Sequence, residues 1–295
     1  MGKLPKLRAR VSTKVIVAAI TVVVGFSFLI AFAVQENLTE NQSYSSNGTP
    51  RAVILDQLHD DIPNKDFQKK ATQYLQDAGY HVDLFTTQQL TVDFYKKLPK
   101  MNYEFIVVRS HAIGSDGPDY FENEPVSIFT GEKYTDDKYI QEQLFGQLGK
   151  GAPYLSSAVE VSVDLSGLNK TTSGEVVAES SWSLLDTTNP YFLVGSKYVE
   201  DLMEGSFPNS VIVLGGCSTL SNPSLAKSLV NRGASSVVGW DRLIGSTKND
   251  QVVLAFLESV LINDMQADDA VKFVNEKFDL DPESNPSFAY YGKSI

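Results

Sequence analysis

The chain has 295 residues, 42% hydrophobic and 11% aromatic, enough to fill the core of one large domain, which excludes disorder throughout. Its net charge of -11 is uneven: residues 1–34 carry five basic side chains (Lys3, Lys6, Arg8, Arg10, Lys14) and no acidic one, leaving 20 basic against 36 acidic residues in the remainder. A body that acidic repels phosphate backbones, so nucleic acid is set aside as a partner.

Residues 15–34 follow the basic head with no charge at all. As a helix they would span about 30 Å, a full hydrocarbon thickness, and the basic flank places residues 1–14 in the cytoplasm. The expectation is one transmembrane signal anchor with everything after it outside the cell membrane. Ala31-Phe-Ala33 offers a cleavage site that would instead release a secreted form. Residues 35–50 are polar and aperiodic, a flexible stalk carrying acceptor sequons at Asn37, Asn41 and Asn47, with a further one at Asn169. Chance in an Asn/Ser/Thr-rich linker is the other explanation for these sequons.

The domain expected over residues 51–295 opens with an apolar strand at 51–56, then a polar loop holding His59, Asp60 and Asp61. Pro63 starts a helix with Phe67, Ala71, Tyr74, Leu75 and Ala78 at helical spacing, stopped by Gly79. A strand at 80–85, a short helix at 91–98 and a strand at 103–108 come next. Short strands alternating with helices predict an α/β fold, a three-layer sandwich about a mostly parallel central sheet.

The rhythm breaks over residues 114–195, read as an insertion above the sheet's functional rim. It contains an acidic loop at 114–125, a short strand at 126–130, a helix or irregular piece at 136–148, and two alternating strands at 156–165 and 174–184. The core pattern resumes with a helix at 196–205, a strand at 211–214, a helix at 223–231, a strand at 234–239, and helices at 246–262 and 267–278. The tail, 282–295, reads as a loop whose Phe288, Tyr290 and Tyr291 pack back.

Two strands end in reactive residues. Val211-Ile-Val-Leu-Gly-Gly-Cys-Ser-Thr-Leu220 delivers the single cysteine, Cys217, and Phe105-Ile-Val-Val-Arg-Ser-His111 delivers one of three histidines. A thiol becomes a strong nucleophile when an imidazole takes its proton, and backbone N–H groups beside it can hold an oxyanion. A core cysteine and a satisfied strand-end histidine are the plain alternatives.

The order strand, helix, strand, helix, strand ending in Ser110-His111, long excursion, and strand ending in Gly216-Cys217-Ser218 resembles the caspase-hemoglobinase fold of cysteine peptidases. The likeness is to the gingipain-like and clostripain-like branches and the related CHAT domains. Gly233-Ala-Ser-Ser-Val-Val-Gly-Trp240, with a helix after it, is similar to the segment that succeeds the cysteine strand in those families. The resemblance covers residues 51–279. It implies His111 as general base, Cys217 as nucleophile, and the N–H groups of Cys217 and Ala112 as the oxyanion hole. Members of the family usually have glycine where this chain has Ala112.

The function so implied is a membrane-anchored, extracytoplasmic cysteine endopeptidase acting on polypeptides, the alternative being an inactive scaffold or binding domain of caspase-like fold. Acidic side chains at the rim would favour a basic residue at the cleavage site. Asp241 and Asp56 are named for that role, and Trp240 for a pocket wall or for core packing. No cofactor is expected; Asp116, Asp119 and Glu122 offer hard oxygen ligands for Ca²⁺, but their spacing matches no EF-hand. No phosphate-binding glycine loop and no histidine pair at metal-ligand spacing occurs.

Overall fold

The computed structural model describes residues 48–114, 126–152, 190–280 and 286–292. The anchor, the stalk to residue 47, all four sequon asparagines, the Asp116, Asp119 and Glu122 group and the strands expected at 156–165 and 174–184 lie outside them. Among the described residues no helix is long and apolar enough to cross a membrane.

The described residues from Thr49 onward form one compact unit. Its central sheet begins with β1 (Arg51–Asp56), β2 (His81–Thr86) and β3 (Phe105–Arg109), joined through helices α1 (Lys65–Asp77) and α2 (Val92–Lys97). The helix expected at Pro63 begins two residues later, because the Asn64 side chain accepts the Phe67 N–H at 3.0 Å and caps it. β8 (Val211–Gly215), β9 (Ser236–Trp240) and β10 (Phe288–Gly292) complete the sheet in the order β2-β1-β3-β8-β9-β10. The first five strands run parallel, and β10 lies antiparallel to β9.

Side-chain alternation explains why these strands are apolar runs. Ala52, Ile54, Phe105, Val107, Val213 and Val238 point to one face, where α1, α6 (Ser246–Leu261) and α7 (Ala267–Lys277) cover them. Val53, Leu55, Ile106, Val108, Ile212 and Leu214 point to the other, covered by α2, α4 (Ser196–Asp201) and α5 (Ser224–Asn231). A strand buried on both sides has no polar face to spare. Each such side chain removed from water contributes about 1.5–3 kcal/mol.

Beside this body a second sheet forms from β4 (Ala112–Ile113), β5 (Ser127–Lys133), β7 (Tyr191–Gly195) and β6 (Leu148–Gly151), in that order and antiparallel. Three expectations change here. The piece at 136–148 is only one helical turn, α3 (Ile140–Leu144), before β6. Residues 191–195, expected inside the insertion, form an inner strand of the second sheet. The tail is no loop: Phe288 to Gly292 pair along Trp240 to Ser236, and Phe288 is buried against Trp240 with ring centroids 5.2 Å apart.

Candidate active site

β3 and β8 are neighbours, paired in parallel from Phe105 with Val211 to Arg109 with Gly215, and the Ser110 N–H still donates to the Gly215 carbonyl at 3.2 Å. His111 and Cys217 each stand two residues beyond that last pair, so they leave the same edge side by side. From β1 the chain turns through α1 to β2, whereas from β3 it continues to β8 on the opposite side. Open α/β sheets place ligands at such a reversal, outside the carboxyl ends of the strands.

The turn that presents Cys217 is fixed by close contact. A Cβ at Gly216 would lie 2.4 Å from the Ser110 carbonyl oxygen and 3.3 Å from the Ala112 methyl, so only glycine lets the two strand ends meet. Ser218, directly after the cysteine, has a φ of 54° in the left-handed region and is buried, with its N–H donated to the Arg242 carbonyl at 2.9 Å. Non-glycine residues hold that conformation at a cost of roughly 1–3 kcal/mol and gather at functional sites. Thr219 secures the turn: its hydroxyl donates to the Leu214 carbonyl at 3.0 Å and accepts the Trp240 N–H at 3.0 Å.

Ala112 sits in β4 opposite Ile128, and its φ is not among the positive ones of the described residues. The backbone at that position is extended, which alanine adopts as readily as glycine, so the methyl does not oppose the geometry.

Cys217 is half-buried, and its Sγ donates to the Ile244 carbonyl at 3.3 Å. The His111 ring packs edge-on against Phe129, with centroids 5.8 Å apart, and its main-chain N–H donates to Gln57 Oε1 at 3.0 Å. Burial lowers the His111 pKa below its ordinary 6.5; Asp61 pulls it up and Arg109 pushes it down. The imidazole is therefore neutral near pH 7 and able to accept a proton.

Below the rim runs a buried charged network. Arg109 is 1% exposed; its Nη1 donates to Asp56 Oδ1 at 2.9 Å, its Nε and Nη2 to the two Asp250 oxygens at 2.8 and 2.9 Å, and Nη2 also to the Ile62 carbonyl. Asn64 and Asn249 donate to Asp250, Gln68 donates to Asp56, and the Trp240 indole N–H donates to Asn249 Oδ1 at 2.8 Å. The network joins the ends of β1, β3 and β9 to α6. Because every member has partners, it rigidifies the edge on which the two reactive residues stand.

This placement bears on the three expected substrate contacts and corrects one of them. Asp56 is fully buried and neutralises Arg109, so it is unavailable to a substrate side chain. Trp240 is fully buried in the core, the second of the two readings given for it. The two Asp241 oxygens accept from Ser287, its N–H at 2.7 Å and its hydroxyl at 2.8 Å, which fastens the last strand to the end of β9. Sequence reading passed over Arg109, Asp250 and Gln57. A charge closing each of two apolar strands, Asp56 and Arg109, was the available sign. Asp250 carries none, because it lies 141 residues from its partner.

Among the described residues no group of His, Cys, Asp and Glu side chains is assembled to hold a metal ion. A scan against protein-family models finds no match to this chain, and a search of curated proteins finds none either. The functional reading therefore rests on the rim itself.

Proposed function

We propose that the chain is a membrane-anchored, extracytoplasmic cysteine endopeptidase of caspase-hemoglobinase type. The observation that carries the reading is the delivery of His111 and Cys217, by adjacent parallel strands, to one edge of the sheet. The alternation of parallel strands and helices before His111, and the turn at Gly216-Cys217-Ser218, support the same resemblance.

In this reading a polypeptide lies across the carboxyl edge. The Cys217 sulfur bonds to the scissile carbonyl carbon while its proton passes to the neutral His111 imidazole. The N–H groups of Ala112 and Cys217 face the developing oxyanion. The carbon–nitrogen bond breaks as His111 protonates the leaving amine, and water then splits the thioester and restores the thiol. A preference for a basic side chain falls to Asp61, which is exposed and close enough to His111 to act on its charge.

One observation favours the second reading, a binding domain without catalysis: the Cys217 thiol donates to the Ile244 carbonyl, an interaction that stabilises the protonated sulfur. Labelling separates the two. A peptidyl acyloxymethyl ketone should modify the wild-type protein at Cys217, with labelling abolished in Cys217→Ala and slowed by about a hundredfold in His111→Ala. Equal labelling of wild type and His111→Ala would exclude the peptidase.

A further inference from the structure

Five buried side-chain polar atoms lack a hydrogen-bond partner among the described residues: Gln57 Nε2, Tyr95 Oη, His111 Nε2, Ser221 Oγ and Arg232 Nε. Three of them, on Gln57, His111 and Ser221, belong to the segments that leave β1, β3 and β8, so the shortage is concentrated at the rim. A buried polar group left without a partner is destabilising. Folded proteins keep such groups chiefly where water, a ligand or catalysis makes use of them.

Gln57 is fully buried. Its main-chain N–H donates to the Arg109 carbonyl at 2.9 Å and its carbonyl accepts the Thr87 hydroxyl at 3.0 Å, which pins its backbone between β3 and the residue that follows β2. Its side-chain Oε1 takes the His111 N–H. Because that partner is a donor, the amide cannot be turned around: oxygen must face the His111 main chain, and the NH2 group, bonded to the same carbon, is held beside His111 with no acceptor among the described residues.

We infer that Gln57 is a positioning residue for His111, its Oε1 holding the main chain at the rim and its captive NH2 setting the positive end of a dipole beside the imidazole. The inference rests on the reading of His111 as the general base. The charged and titratable groups around the ring come from each neighbouring segment. Asp61, after β1, favours the cation; Arg109, on β3, opposes it, with its charge shared between Asp56 and Asp250; Cys217 comes after β8. β5 contributes the apolar Phe129. Gln57 acts in the same sense as Arg109 and keeps the ring neutral, which is the state a base requires.

The test is the titration of the His111 ring by NMR in the full-length chain labelled at histidine, with the signal assigned among three histidines by His111→Gln. Gln57→Glu keeps an oxygen for the His111 N–H and puts a carboxylate oxygen in place of the NH2, and should raise the ring's midpoint by about one pH unit, part of it through the new charge. Gln57→Met removes both groups and should raise it by a smaller step. A purely structural role would change the unfolding midpoint of both variants and leave the ring's titration where it was. An unchanged titration in Gln57→Met, which adds no charge, overturns the inference whatever Gln57→Glu shows. Alkylation of Cys217 by iodoacetamide, measured against pH in the same variants, reports on the dyad separately. If the ring's midpoint moves and the alkylation profile does not move with it, the peptidase reading fails and the role of Gln57 stands.

Discussion

Truncating Asp250 should unfasten the rim from below. Its carboxylate accepts four N–H bonds, two from Arg109 at 2.8 and 2.9 Å, one from Asn64 at 2.8 Å and one from Asn249 at 3.1 Å. In Asp250→Ala the Arg109 side chain, 1% exposed, keeps only Asp56 and the Ile62 carbonyl. Removing one partner of a buried pair costs about 3–5 kcal/mol. The two stranded amides would each add about 1–3 kcal/mol if they stayed dry, although water entering the vacated space offsets part of that. A net loss of roughly 4 kcal/mol is a large share of the roughly 5–15 kcal/mol by which domains are stable. With a urea slope near about 2 kcal/mol/M, the unfolding midpoint by circular dichroism should fall by about 2 M at unchanged slope. Asp269→Ala breaks an exposed bond to Lys272 and should leave the midpoint in place. A loss below about 1 kcal/mol for Asp250→Ala would mean that water already reaches the guanidinium, and the argument for a rigid edge would fall.

The same geometry gives two further outcomes. Gly216→Ala forces its new methyl against the Ser110 carbonyl and should destabilise by about 1–3 kcal/mol while changing the alkylation rate of Cys217; wild-type values of both would show that the strand ends part freely. His111 has a native pKa below that of the unfolded chain, so between the two values the unfolded state binds more protons and stability rises with pH. The stabilisation is present above about pH 6.5 and is lost as pH falls through the native midpoint; urea midpoints measured from about pH 7.5 to about pH 4.5 should show this slope in the wild type and lose it in His111→Gln.

The sequence disclosed the parallel body because burial on both faces leaves continuous apolar strands, and its helices carry core residues at helical spacing. β6, Leu148 to Gly151, showed no such signal: two of its four residues are glycine, and it exists by pairing with β7. β7 is itself apolar, but Gly195 both ends the strand and caps α4, so no turn announces the boundary. β10 is short, and Phe288 looked like tail packing until its hydrogen bonds to β9 were placed. The same division applies to the rim. His111 and Cys217 were visible as polar endings of apolar strands, whereas the assignment of Asp56 to a substrate failed because its partner, Arg109, is brought to it only by the tertiary fold.

The pairing of β3 with β8 also sets a schedule. Phe105 meets Val211 across a long excursion that includes the entire second sheet. Contacts so distant along the chain form late, since the entropy of closing the loop is lost before any bond repays it. As the chain emerges from the ribosome, β1, β2 and β3 can associate with their helices while β8 has yet to be made. The imidazole thus waits on a partial sheet with an open edge until the thiol arrives, and a nascent or truncated chain ending before residue 211 has no means of assembling the pair.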